Sequence, residues 1–326
     1  MDIRTRIART VACAAVLAGL LAVAPGASGA GLRAVTGPLS VKVGIADQKA
    51  SAFDDARLRG LGLRYARRSV AWDSLRSARQ TAEVDNWVAG AKAVGAEPLL
   101  TFSRSSGPRG RRPPTAAALT REFRRFRRRY PAIKTYSTWN EANQCGVGTC
   151  KNPQLVAQYY RAMRRACPSC KVLAADLLDQ PNMVSWARAF RRAARVEPKY
   201  WGLHDYIDAN RFQTTRTRQL LRAVKGEVWL TEIGGLVARR NGSRIKLPGN
   251  KAHAAKATRF IFDRLARVSR RITRIYMYHW SSSTPRDSWD SAFIGADGRP
   301  RPSLAVFERI LQGMHTTYGA ARTASR

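Results

Sequence analysis

Two glutamates stand in matching settings in this 326-residue chain. Glu141 closes the run Thr138-Trp139-Asn140-Glu141, and Glu232 closes Trp229-Leu230-Thr231-Glu232. Each run ends an apolar stretch, so each glutamate falls where a β-strand gives way to a loop. In a barrel of parallel strands all such ends open on one face, and two carboxylates on that face can meet across a cleft. A protonated and an ionised carboxyl so placed can cut a glycosidic bond. The leaving oxygen departs only once it is protonated, while the charged partner attacks or stabilises the sugar cation. Glu141 is the expected acid/base and Glu232 the expected nucleophile. Asn140, next to the acid, can hydrogen-bond a sugar 2-hydroxyl. Either glutamate alone reads more readily as a solvated loop residue; the pairing is what suggests chemistry.

The elements that must position them alternate regularly. Strand-like stretches fall at about Val41 to Ala46, Leu63 to Val70, Glu97 to Phe102, Ile133 to Trp139, Lys171 to Ala175, Tyr200 to Tyr206, Glu227 to Thr231 and Arg274 to Trp280, with helical stretches between them. Val84, Trp87, Val88, Ala91 and Val94 form one apolar stripe, and Gly95 stands where that helix should stop. Asn152-Pro153 caps and starts another helix. A third, from about Thr115 to Tyr130, turns Leu119, Phe123, Phe126 and Tyr130 inward and its arginines outward. Eight such units predict an α/β protein, a (β/α)8 TIM barrel in a single domain. An open doubly wound sheet is the alternative, but no Gly-x-Gly-x-x-Gly or P-loop run follows the first strand.

The ends of the chain frame this domain. Arg4, Arg6 and Arg9, an apolar run from Val11 to Ala24 and small residues up to Ala30 predict a signal peptide over 1–30 and export. A leader over 31–40, the barrel over 41–313 and a frayed tail over 314–326 complete the expected layout. Once Cys13 leaves with the signal, four cysteines remain: Cys145, Cys150, Cys167 and Cys170. A helix between the two pairs would hold them about 20 Å apart, which rules out a shared zinc and favours two local disulfides, Cys145 with Cys150 and Cys167 with Cys170.

With these residues in place, the mature chain resembles the large clan of barrel glycoside hydrolases that carry the acid/base on strand four and the nucleophile on strand seven. Gly62 to Trp72 looks like the clan's second strand, with its arginine at Arg67. Trp139 to Asn143 resembles its Asn-Glu motif, although many members have proline in place of Ala142. His204-Asp205-Tyr206 resembles its sixth strand, Leu230-Thr231-Glu232 its nucleophile strand, and Phe293 to Ser303 its closing segment. Trp280 is similar to its aromatic platform under the sugar. The resemblance implies a retaining reaction with the two carboxyls about 5 Å apart, Arg67 holding Glu232 ionised, and His204 and Tyr206 orienting side chains or binding substrate. The plainer alternatives are a structural ion pair at Arg67, a core aromatic at Trp280 and a satisfied buried histidine at His204. Asp47, Asp73 and Asp176 also lie at or past strand ends, without an assigned role.

The formal charge is +36, from 58 Lys and Arg against 22 Asp and Glu. Much of it should be solvated helix face. The basic loops Arg104 to Arg112 and Arg239 to Lys251 follow strands three and seven, contain no acidic residue and point to an anionic glycan as substrate. Nucleic acid is disfavoured because the signal peptide separates the protein from it. The histidines His204, His253, His279 and His315 lack metal-ligand spacing, so no metal or other cofactor is expected. The non-enzymatic alternative is a barrel that only binds cell-wall or extracellular glycan.

Overall fold

The structure, a computed structural model, describes residues 35–106, 110, 112–240 and 245–323. The expected signal peptide, residues 31–34 of the leader, the centres of the two basic loops and 324–326 fall outside the described residues.

Parallel strands build the core: β1 (Lys42–Ala46), β2 (Tyr65–Ala71), β3 (Glu97–Ser103), β4 (Thr135–Ser137), β5 (Lys171–Leu173 continued by Asp176–Leu178), β6 (Tyr200–His204), β7 (Glu227–Ile233) and β8 (Ile272–Tyr278). Each pairs in parallel with its sequence neighbour, and β1 pairs with β8, Gly44 standing opposite Tyr276. The fifth strand is interrupted at Ala174 and Ala175. Its first segment pairs with β4 and its second with β6, so the ring closes through it. The (β/α)8 barrel expected from the alternating pattern is the fold observed.

Side chains fill the barrel. Ala46, Leu99, Leu173 and Trp229, from the odd strands, pack with Tyr276 in an inner cluster, as expected when alternate strands contribute to one layer. Beneath it, the Arg274 guanidinium lies over the rings of Trp229 at 4.1 Å and Tyr65 at 4.3 Å and reaches Glu97 at 3.3 Å. These rings desolvate the cation on their electron-rich faces.

Helices cover the outside, and local sequence sets their limits. The Ser77 hydroxyl accepts from the Gln80 N–H to start Ala78–Ala93, and Gly95, at φ +69°, follows its end. Val84, Trp87 and Ala91 of its stripe are buried. Thr115 caps Ala116–Arg129, whose Leu119, Phe123 and Phe126 are sealed against the sheet. Phe126 meets Phe102 edge-on at 5.0 Å, and Phe123 meets Tyr136 at 5.0 Å; burying each ring contributes about 2 kcal/mol. Asn152 caps Pro153–Ala166 through the Leu155 N–H. Among the described residues, no helix is long and apolar enough to cross a membrane.

Two strand ends that differ from expectation bear on the site. β6 ends at His204, and Tyr206 opens a short helix, Tyr206–Arg211, whose first N–H groups are accepted by Asp179. β8 ends at Tyr278, two residues short of Trp280. The last helix, Pro302–Thr323, continues past residue 313. The structure pairs Cys145 with Cys150 and Cys167 with Cys170.

Candidate active site

The strand ends converge on a buried cation. Arg67, on β2 and sealed from solvent, donates from Nη1 to Glu232 Oε2 at 2.9 Å, from Nη2 to Asn140 Oδ1 at 2.6 Å, and from Nη2 and Nε to Asp176 Oδ2 at 2.7 and 3.2 Å. Strands β2, β4, β5 and β7 thus meet on one guanidinium. Burial presses Arg67 toward neutrality, but the charges of Asp176 and Glu232 outweigh it and hold the cation firmly.

Asp176 anchors this group from below. Its Oδ2 also accepts from Thr101 Oγ1 at 3.0 Å and its Oδ1 from Ser137 Oγ at 2.8 Å. Burial opposes its ionisation, yet Arg67 and His204 hold the carboxyl below the usual range. Gly202 on β6 makes room for it: a Cβ there would stand 2.0 Å from Asp176 Oδ1. In the sequence, only its place at a strand end marks Asp176.

Glu232, at the end of β7, receives a second donor. The Tyr206 hydroxyl lies 3.0 Å from Oε1. Burial and the neighbouring Glu232 raise the Tyr206 pKa well above its ordinary value, so the phenol keeps the proton it donates.

Glu141 follows β4 with φ +50°, a left-handed conformation that costs a non-glycine residue about 1 kcal/mol or more. Bonds around it hold the turn. The Ala142 N–H donates to the Asp176 carbonyl at 2.9 Å and the Gln144 N–H to the Glu141 carbonyl at 2.7 Å. Asn143 exchanges two bonds with Leu178, its Nδ2 donating to the carbonyl at 2.9 Å and its Oδ1 accepting from the N–H at 2.8 Å. The Cys145–Cys150 disulfide closes the loop that follows.

His204, fully buried at the end of β6, bridges the two glutamates. Its Nδ1 lies 3.3 Å from Glu141 Oε1 and 3.7 Å from Glu232 Oε2, and its Nε2 lies 3.0 Å from Arg67 Nη2. Burial works against a charged imidazole, but Glu232, Asp176 and Glu141 together raise its pKa to about 9. Glu141, His204 and Glu232 each offer one donor atom within 4.8 Å of the others, a geometry a metal could use. The Arg67 cation, already bonded to Glu232, makes that cluster a poor site for a second positive charge.

A cleft opens above these groups and divides at Glu141 and Gln144. One side, about 450 Å³, is lined by Tyr206, Glu232, Asp179, Arg239, Tyr278 and Trp289 among others. The other, about 400 Å³, is lined by Ser103, Arg104, Asn140 and the loop through Val147. Trp289 meets Tyr206 edge-on at 4.4 Å, and the Arg239 guanidinium lies 5.1 Å from the Trp289 ring. Ala238–Arg239 and Trp289–Asp290 pair as antiparallel strands, which fixes this wall.

Glu141, Glu232, Arg67, Asn140, His204 and Tyr206 are therefore brought together, and Trp280 is not. Its backbone N–H is held by Asp47 Oδ2 at 2.8 Å and its indole N–H by Asp55 Oδ2 at 2.9 Å, and its ring packs in the core with Phe293. Strand alternation ends at Tyr278, so it cannot aim Trp280 at the cleft. Tyr278 and Trp289 supply the aromatic walls instead. Nothing in the periodicity marks Trp289, which lies in a two-residue strand outside the barrel. Of the other unassigned acids, Asp47 holds the Trp280 turn and Asp73 accepts from Ser105.

No family profile and no curated sequence matches this chain. Solved structures match it in fold. Residues covering 84% of the chain superpose on a family 39 glycoside hydrolase from Bacteroides cellulosilyticus, with a TM-score of 0.56 at 13% identity; the match spans 63% of that protein. A monomeric beta-xylosidase from Caulobacter crescentus matches over 85% of this chain and 69% of its own, with a TM-score of 0.58 at 14% identity. Xylanase 10B from Thermotoga maritima matches over 84% and 96%, with a TM-score of 0.57 at 12% identity. The clan resemblance read from sequence is thus met by glycoside hydrolases among the structural neighbours, and this chain has the (β/α)8 barrel fold that they have.

Proposed function

We propose that this chain is an exported, retaining glycoside hydrolase that cuts O-glycosidic bonds of an anionic polysaccharide or oligosaccharide. The observation that carries the reading is the approach of Glu141 and Glu232 across the cleft, with carboxylate oxygens within 4.8 Å. Retaining enzymes hold their carboxyls about 5 to 5.5 Å apart, whereas inverting ones need room for a water between them. The xylanase, beta-xylosidase and glucosidase named among the structural neighbours support the same bond type.

In this mechanism Glu141 gives its proton to the glycosidic oxygen as the Glu232 carboxylate attacks the anomeric carbon, so the leaving sugar departs with the proton and a glycosyl ester forms. Glu141, now a carboxylate, takes a proton from water, and the resulting hydroxide displaces Glu232. Arg67 and the Tyr206 hydroxyl hold the Glu232 carboxyl in place and aim it. Asn140, fixed by Arg67, turns toward the sugar 2-hydroxyl. Arg104 and Arg239 on opposite sides of Glu141 support an acidic sugar, since a guanidinium pairs well with a carboxylate or phosphate. The amino-terminal pattern and the two disulfides support export.

The test is hydrolysis of activated aryl glycosides, with the anomer of the first product followed by NMR. Wild type should retain configuration, and Glu232→Gln should lower kcat by on the order of 10³ or more. Glycan binding with no hydrolysis by wild type would leave a binding barrel instead. Unchanged relative turnover of acidic and neutral glycans in an Arg104→Gln, Arg239→Gln variant would remove the anionic part alone.

A further inference from the structure

Away from the cleft, one stretch of the exterior is almost without negative charge. Between residues 142 and 226 the chain has 15 Lys and Arg and five acidic residues. Four of those acids, Asp176, Asp179, Asp205 and Asp208, are buried. The fifth, Glu197, is committed: its Oε2 accepts from Arg191 Nε and Nη2 at 2.9 and 2.5 Å, and its Oε1 from the Lys225 N–H at 3.1 Å.

On the helix Met183–Ala194 this imbalance is organised. Arg188 and Arg192 are one turn apart on the exposed face, and Arg195 follows at i+7 as the helix closes in a left-handed turn. With Arg191, Val196 and Glu197 they line a groove of about 510 Å³. None of the three makes an ion pair or hydrogen bond among the described residues. Helix C-termini favour cations, which accounts for Arg192 in the last turn but not for Arg188 in the middle of the helix. The rise from Arg188 to Arg192 is about 6 Å, on the scale of one sugar residue.

We propose that this groove is a binding site, separate from the cleft, for a linear anionic polysaccharide, with Arg188, Arg192 and Arg195 pairing with successive carboxylates or phosphates. Guanidinium forks fit such groups bidentately. The groove lining has no aromatic ring on which a base could stack, which favours a polysaccharide over single-stranded nucleic acid. The site does not depend on the chain being a hydrolase, because binding is measured without turnover.

The experiment uses the full chain and three probes: polygalacturonate, neutral dextran of similar length, and an oligodeoxynucleotide of equal charge. An Arg188→Gln, Arg192→Gln, Arg195→Gln variant should bind polygalacturonate about tenfold more weakly at moderate salt, with unchanged activity on a small aryl glycoside. A variant with Arg121, Arg124 and Arg128 changed to Gln on another exposed helix face removes the same charge and should stay within about twofold of wild type. Equal losses in the two triple variants would reduce the effect to net charge, and no loss in the first would remove the site; either overturns the proposal. Tighter binding of the oligonucleotide than of polygalacturonate, lost in the first variant, would overturn the ligand class. Should the triple variant melt early, Arg192→Gln alone should weaken binding about threefold, and no change would count against the site.

Discussion

Asp176 Oδ2 lies 2.7 Å from Arg67 Nη2 with both side chains fully sealed from solvent. This ion pair sits under the cleft and ties β5 to β2. Its surroundings complete it, since Thr101, Ser137, Asn140 and Glu232 occupy the remaining donors and acceptors. A buried pair so satisfied is costly to break from one side only, because the remaining charge has nowhere to go.

Asp176→Ala should therefore lower folding stability by about 3 to 5 kcal/mol, measured by denaturant unfolding. A loss below about 1 kcal/mol would mean that Arg67 finds other partners and that Asp176 is not the anchor of the site.

Gly202→Ala should act through the same residue. The added Cβ would meet Asp176 Oδ1 at 2.0 Å, and Thr231 Oγ1, at 2.8 Å, closes the other side. Asp176 is held by Ser137 and Arg67 and cannot swing away, so the variant should lose several kcal/mol of stability, as overpacked cores do (about 1 to 3 kcal/mol or more). A variant with wild-type melting temperature and activity would show that β6 shifts to accommodate the methyl.

Asp179, Asp205 and Asp208 form a buried carboxyl group beside the cleft. Burial pushes Asp179 up to about 7, although Asp205 and the N–H groups of Ile207 and Asp208 bond to it. Asp205 is likewise raised well above the usual carboxylate range, by burial and by the charges of Asp208 and Asp179. A raised carboxyl binds its proton more tightly folded than unfolded, so its contribution is fully present below pH about 4 and is lost as pH rises toward about 7. Asp179→Asn should flatten the decline in stability between about pH 4 and 7, read from melts across that range. An unchanged slope would place the titration elsewhere.

Replacing Cys145 and Cys150 by serine should lower stability by about 2 kcal/mol, the chain-entropy value for so short a loop. The loop they close includes Gly146 and Val147 of the cleft wall, and Gln144 adjoins it. Activity on a polymer should fall more than activity on a small aryl glycoside, and equal losses would argue against a role for this wall in holding substrate.

The chain by itself determined the barrel, because eight alternations of apolar strand and amphipathic helix have few other closed solutions. It also marked Glu141 and Glu232, since a carboxylate after an apolar run has a definite place once the strands are parallel. The disulfides followed from the cysteine spacing and the helix expected between the two pairs. Only the tertiary structure decided what surrounds those carboxylates. Asp176 became the partner of Arg67 because closing the ring through β5 brings residues 109 positions apart into contact. Trp280 turned into the core, and Trp289, from a two-residue strand outside the barrel, took a place on the cleft wall. Loop paths depend on tertiary hydrogen bonds such as those from Trp280 to Asp47 and Asp55, and these have no periodic trace in sequence.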